Sequence, residues 1–237
     1  MSSFWGAIEA CVWRAQFVFY PCGLNVYLVI RIDKSTVRAS KMSRSRKVAP
    51  EEAVQAAMEA FWKHGYHELG TRQLEEETGI TRFTLQTTYG GKKKLFLAAL
   101  DRYLDIFEGQ GLPPTDGSGL EGLAAWFEVR PQPIMMPEVA SFGCLMLNST
   151  VEFMQGDEEV NQRAERFFTF IRGGFKASLK SIQDAGQLPH DFDIEAKAEL
   201  LLGSSIGLNI IIRSATNNAA GMDLAASVSA MVRGWAP

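Results

Sequence analysis

The chain has 237 residues, 46% of them hydrophobic and 22% charged, which suits a soluble globular protein of one or two domains. A formal net charge of −3 excludes a generally basic coat, though not a locally basic face. Cys11, Cys22 and Cys144 form no CxxC pair, and His64, His67 and His190 make no credible metal set, so neither cofactor nor metal is expected, and a reducing, cytoplasmic setting is the default.

Residues 17–30 are apolar but broken by Pro21, Gly23 and Asn25, too short to cross a bilayer, and not preceded by a basic region. Three readings stand for residues 1–41: a membrane-associated anchor, an extension packed on the body, or a stretch of little consequence before a start at Met42. The last is expected, so residues 1–42 read as an extension that is weakly ordered or not native. Residues 43–47 (SRSRK) are a short basic arm, either a solvated tail or an arm that touches phosphate or the minor groove.

The first helix opens on Pro50, Glu51 and Glu52, residue types favoured in a first turn. Val54, Ala57, Met58, Phe61 and Trp62 repeat at helical spacing and face a core, and Gly65 closes the helix. His64 and His67 flank that closure as surface residues. A second helix is expected over residues 71–78, with Thr71 as its N-cap and Gly79 as its stop. Ile80 should be buried, and Thr81 can cap a third helix over residues 82–89. Leu74, Ile80, Leu85 and Tyr89 should share a small core with the first helix.

The third helix carries Arg82, Thr84, Gln86, Thr87, Thr88 and Tyr89, side chains that reach phosphates and base edges. Gly90 and Gly91 end it, and Lys92, Lys93 and Lys94 follow. Residues 80–102 hold five Lys/Arg against one acid, whereas residues 109–237 hold nine basic and fifteen acidic residues. Helix, tight turn, polar second helix and lysine cluster together fit a helix-turn-helix that lies in a major groove and grips the flanking phosphates. A fourth helix begins at Lys92 with Leu95, Phe96, Ala99, Leu100, Tyr103, Leu104 and Phe107 as its apolar stripe. A Gly/Pro-rich loop follows at residues 109–119.

Residues 44–107 resemble the DNA-binding half of the tetracycline-repressor (TetR) family. The likeness rests on Phe61, Gly65-Tyr66, Thr71, Gly79-Ile80-Thr81, Thr84-Leu85, Tyr89, Lys92 and Leu95-Phe96. Three positions depart from the family pattern: Gln86 replaces a usual tyrosine, Phe83 a common small residue, and Glu75 an often small one.

The second half is helical too. Helices are expected over residues 120–129, 143–153 (nearly all apolar, hence central), 158–185, 193–216 and 224–235. Gly173-Gly174 could bend the long one. The segment GCLMLNS also resembles one found at this place in a branch of the family. An apolar cavity between helices is one hypothesis, lined by Trp126, Phe127, Met146, Asn148, Phe153, Phe167 and Phe170, with Met135, Met136, Phe142 and Cys144 nearby and Glu152 as a second polar candidate. Ordinary core packing is the alternative for each. Cys144 reads as a buried structural thiol before it reads as a sensor. Residues 200–212 are too apolar for a lone surface helix and should pair with the last helix across a two-fold axis as a four-helix bundle.

No nucleophile elbow, phosphate loop, dinucleotide fingerprint or paired His/carboxylate spacing supports an enzyme. The expected architecture is all-α: a three-helix helix-turn-helix domain (residues 43–92) joined by a fourth helix to a larger ligand-binding and dimerisation domain (residues 93–237). The resemblance implies a sequence-specific regulator of transcription, a repressor released by a small-molecule effector or else an activator, dimeric through its last two long helices. It implies a palindromic operator on double-stranded DNA and no membrane partner. Thr71, Arg72, Thr81, Arg82, Thr84, Gln86, Thr87, Thr88, Tyr89, Lys92 and Lys93 are the expected DNA contacts. A protein of the same fold that has lost DNA binding is the competing reading, prompted by the acids Glu75, Glu76 and Glu77.

Overall fold

The structure, a computed structural model, describes residues 49–110, 112–131, 140–154, 156–214 and 221–237. The expected extension at 1–42, the basic arm at 43–47, and Met135 and Met136 lie outside the described residues. Among the described residues all regular structure is helical, as expected.

Helix α1 (Pro50–His64) has proline and two acids at its start and Lys63 and His64 in its last turn, so both ends complement the helix dipole. It buries Ala57, Met58, Phe61 and Trp62. Helix α2 (Thr71–Thr78) has the expected span but a different cap. Gly70 occupies the cap position with no side-chain cap, and Thr71 is the first residue inside the helix. Gly79 ends α2 at φ 69°, a left-handed conformation that costs glycine nothing, and its N–H returns to the Glu75 carbonyl. Buried Thr78 completes the turn: its hydroxyl donates to the Leu74 carbonyl at 2.6 Å and accepts the Ile80 N–H at 3.1 Å. Helix α3 (Arg82–Thr88) is capped by Thr81, whose hydroxyl accepts the Thr84 N–H at 3.2 Å, as expected.

Helix α4 (Lys92–Gln110) spans roughly 28 Å at 1.5 Å per residue. Its first turns bury Leu95 and Phe96 with Phe61, Leu74, Ile80 and Leu85, and Tyr89 packs half-buried on that cluster. Each fully buried side chain of this size contributes about 1.5–3 kcal/mol, so the small three-helix unit relies on α4 to complete its core. Further along, α4 buries Leu100, Tyr103 and Leu104 in the second half. One helix therefore belongs to both cores.

The second half comprises α5 (Gly119–Glu128), a short 3₁₀ turn (Ala140–Phe142), α6 (Leu145–Phe153), α7 (Glu158–Asp184), α8 (Ile194–Ser214) and α9 (Met222–Arg233). Helix α7 packs against α4, α5, α6 and α8, while α5 pairs with α9. That last pair is pinned by buried Ser229, which donates to the Ala124 carbonyl at 2.8 Å, and by Arg233, which bridges Glu121 and Glu128. Helix α7 runs unbroken through Gly173-Gly174. Gly174 serves close approach, because a Cβ there would collide with the Leu112 side chain and meet Pro113 at 3.0 Å. Helix α6 is central on one side only: Leu145, Met146, Leu147 and Ser149 are buried, while Val151 faces out.

Candidate nucleic-acid interface

Leu85 anchors α3 inward, and this sets the opposite face outward. Arg82, Phe83, Gln86 and Thr87 share that outward face at i, i+1, i+4 and i+5, and all four are exposed. Arg72, in the first turn of α2, has its side chain 92% exposed. Thr88 is exposed, while Thr71, Thr84 and Tyr89 are half-buried. Burial pushes the Tyr89 phenol up, so it stays a neutral donor at physiological pH.

Two of the expected readers hold hydrogen bonds within their own helix and its cap. The Thr84 hydroxyl lies 3.0 Å from that of Thr81 within the cap. The Thr87 hydroxyl donates back to the Phe83 carbonyl at 2.8 Å. Arg82 and Gln86 remain as long polar side chains projecting from the face.

The three consecutive acids of α2 each have a local partner. Glu75 accepts the backbone N–H of Arg82 and so joins α2 to α3. Glu76 pairs with Arg72 at 3.1 Å, and Glu77 meets His64 Nε2 at 2.6 Å. His64 thus has a structural place between α1 and α2. The partners of Glu75 and Glu77 come from other elements, and that of Glu76 from the preceding turn of α2.

The lysines divide by direction. Lys92 lies with its ammonium 4.4 Å from the centre of the Tyr66 ring, and burial pulls its pKa down. Lys93 turns away from the α3 face, ion-paired with Asp157 and 4.8 Å from the Phe153 ring centre. Lys94 is the exposed member.

Asp157 and Phe153 belong to a joint between the first three helices and the second half. The Glu152 carboxylate accepts the N–H groups of Tyr66 at 2.9 Å and His67 at 2.6 Å, just past the end of α1. Tyr66, Phe96 and Phe153 form an aromatic triangle beside it, with ring centres 4.9–5.5 Å apart. Trp62 donates to the Gly143 carbonyl at 3.1 Å, and Arg213 of α8 donates to the Lys63 carbonyl at 3.1 Å. The C-terminal end of α1 is therefore held by α6, by the turn before it and by α8.

The described apolar residues expected around a cavity belong to or pack on one hydrophobic core. Phe127 and Met146 are fully buried. Trp126 packs edge-on against Phe127 and Phe175 and lies under the Arg130 guanidinium at 3.8 Å. Phe167 packs with Tyr103 and Phe107. Asn148 donates to the Phe142 carbonyl at 2.8 Å, and Phe153 and Glu152 sit at the joint. Phe170 lines an open furrow of about 570 Å³ on the outer side of α4 and α7, crossed by the Arg166–Glu108 ion pair. Cys144 caps α6 through Sγ, 3.5 Å from the Leu147 N–H, and accepts the Tyr103 hydroxyl at 3.3 Å. Burial pushes its thiol up, which suppresses the reactive thiolate.

The chain is similar to known proteins. The family model described as "Bacterial regulatory proteins, tetR family" matches residues 53–99, and "Tetracyclin repressor-like, C-terminal domain" matches residues 119–228. An HTH-type transcriptional regulator of Bacillus subtilis, YezE, is 30% identical over 178 residues, covering 73% of this chain and 90% of that protein. The HTH-type transcriptional repressor ComR of Escherichia coli is 28% identical over 178 residues, 73% of this chain and 84% of its own. Among solved structures, a TetR-family regulator from Cytophaga hutchinsonii superposes with a TM-score of 0.64 at 16% identity, over 83% of this chain and 98% of that one. A cysteine mutant of the TetR-family regulator CifR, complexed with 26-base-pair operator DNA, superposes with a TM-score of 0.59 at 20% identity, over 82% and 100%. At these identities the structural likeness speaks to the fold alone.

Proposed function

The chain belongs to the tetR family of bacterial regulatory proteins, and on that premise we propose that it is a homodimeric repressor that binds a palindromic operator and is released by a small-molecule effector. One observation carries the DNA-binding part. The outward face of α3 presents Arg82 and Gln86 from a helix capped by Thr81 and anchored by Leu85, while the neighbouring acids of α2 are engaged by their own partners. Side chains of these types recognise base edges when such a helix enters the major groove, and cations beside it hold the phosphates. The name of the E. coli relative, a repressor, supports repression over activation.

The boundary between the two functions is proposed at the start of α4, with residues 43–92 for DNA and residues 93–237 for effector and dimer. Effector binding would act through the joint at Glu152 and Phe153 and through α4, which shares both cores. It requires an effector that binds one arrangement of the joint better than the other. Cytoplasmic placement follows from the DNA partner, and no helix among the described residues is long and apolar enough to cross a membrane.

The competing reading, a fold that has lost DNA binding, drew on Glu75–Glu77 as a repulsive patch. Glu75 accepts the Arg82 backbone N–H, Glu76 pairs with Arg72 and Glu77 with His64, which supports the DNA-binding reading. The test is a salt titration of binding to the promoter DNA beside the protein's own gene. Affinity should fall steeply with salt, and Arg82→Ala and Lys94→Ala should weaken binding, with Lys94→Ala acting alike on all duplexes and lowering the salt slope by about one. No preference for that DNA over random duplex at moderate salt would overturn the proposal.

A further inference from the structure

Phe83 is 76% exposed, on the same outward face of α3 as Arg82, Gln86 and Thr87. A single exposed apolar side chain needs no explanation on an ordinary surface. This one stands in the middle of the face that is proposed to enter the major groove, where its family commonly has a small residue. Two of the threonine hydroxyls that could have read bases already hold hydrogen bonds within the helix and its cap, Thr84 with Thr81 and Thr87 with the Phe83 carbonyl itself. The central position of the reading face is thus apolar, flanked by one arginine and one glutamine.

The major groove offers one apolar group that distinguishes base pairs, the C5-methyl of thymine. Arginine suits guanine and glutamine suits adenine in that groove, and neither senses a methyl. We propose that Phe83 reads a thymine methyl in the operator, and that it is a specificity-determining residue of this protein. The inference rests on the DNA-binding reading above. It predicts that the preferred half-site contains a thymine whose methyl, not its hydrogen-bonding edge, is required.

The experiment begins with selection of preferred duplexes from a random library by the full chain. Each thymine of the selected half-site is then replaced by deoxyuridine, which removes the methyl and leaves every hydrogen bond. One position should lose roughly fourfold in affinity, the value of about one buried methyl-sized group. Phe83→Ala should lose a similar factor on the thymine duplex, show no further loss on the deoxyuridine duplex, and keep the salt slope. Because Phe83 is exposed, the variant should melt with the wild type, and a shared melting temperature is checked first. A selected site at which every deoxyuridine is tolerated, or equal loss by Phe83→Ala on both duplexes, overturns the assignment while leaving DNA binding intact. Failure to select any preferred duplex overturns the regulator reading and this assignment together.

Discussion

The carboxylate of Glu152, in the last turn of α6, accepts the backbone N–H of Tyr66, the second residue beyond α1, at 2.9 Å. Its other oxygen takes the His67 N–H at 2.6 Å. Backbone donors at a chain reversal usually find a local acceptor, whereas here the acceptor comes from the second half of the chain. Charge-assisted hydrogen bonds of this kind each contribute about 1.5–3 kcal/mol when sheltered, and less when exposed. Glu152→Ala should therefore lower unfolding stability in urea by roughly 2 kcal/mol, and Glu152→Gln by about half as much. In the proposed function the same change loosens the link between effector and DNA. Operator binding without effector should persist, while the response to effector weakens. A Glu152→Ala protein with wild-type urea midpoint would show that the two hydrogen bonds carry nothing.

Asp157 connects a second pair of elements. One oxygen caps α7 by accepting the Val160 N–H at 3.1 Å, and the other pairs with Lys93 at the start of α4. The Lys93 hydrogen bond leads in holding its carboxyl below the ordinary value of 3.8. A lowered folded-state pKa means that the carboxylate stabilises the fold above the unfolded pKa, and that this contribution fades as pH falls through the lowered folded value. Asparagine also caps helices well, so Asp157→Asn should cost less than about 1 kcal/mol near neutral pH, whereas Asp157→Ala should cost about 1–2 kcal/mol. Measured in urea from pH 7 downward, the gap between wild type and Asp157→Asn should hold to about pH 5 and then narrow as the wild-type carboxylate takes up its proton. A gap that widens on acidification would contradict the pairing.

The helices were legible because local signals agreed with one another: Pro50, Gly79, Thr81 and the apolar stripes of α1 and α4 set boundaries within about two residues. The exception at Thr71 is small, since both glycine and threonine serve as caps and the chain chose Gly70. Direction was not legible. Lys92, Lys93 and Lys94 are adjacent, and only tertiary packing decides that Lys93 meets Asp157 while Lys94 faces out. Glu152 read as a candidate for a cavity because it sits on an apolar helix, yet its partners are backbone groups 85 and 86 positions away, which no side-chain pattern encodes. The aromatic residues expected around a cavity all belong to or pack on one hydrophobic core, and their order in the sequence does not say which of them are neighbours.

Cys144 supplies a further test. Its sulfur caps α6 and accepts the Tyr103 hydroxyl in a fully buried setting, where desolvation raises both groups. A buried, protonated thiol reacts slowly with disulfide reagents. In a chain with Cys11 and Cys22 replaced by serine, the remaining thiol should resist such a reagent in buffer and titrate fully in urea, tracking global unfolding. Cys144→Ser keeps an acceptor at the cap and should change stability by no more than about 1 kcal/mol. Rapid labelling of the native protein would instead place this thiol within reach of solvent.

The last prediction concerns association. On α8, Leu200, Gly203, Ser204, Gly207 and Ile211 follow one another at i, i+3, i+4, i+7 and i+11, a single face of the helix. Leu200, Ile210 and Ile211 are exposed, and nothing lies within 4 Å of where a Gly203 Cβ would stand. Large apolar residues bordering glycines and a serine make a surface that a second helix can approach closely, and Met222 of α9 adds to it. The adjoining face carries Leu201, Leu208 and Ile212 into the subunit core, so substitutions on the outer face spare the fold. Two copies related by a two-fold axis would bury this surface as a four-helix bundle of α8 and α9. Ile211→Asp should place a charge in that bundle and yield a folded monomer by sedimentation, with unchanged helicity. Because a palindrome rewards two linked recognition helices, the monomer should lose most of its affinity for a full operator while binding a half-site as weakly as the wild type does. Gly203→Leu offers an independent check, since it adds apolar area yet fills the approach and should also favour the monomer. A dimer that survives both changes with normal operator affinity would mean that the two-fold contact lies elsewhere on the chain.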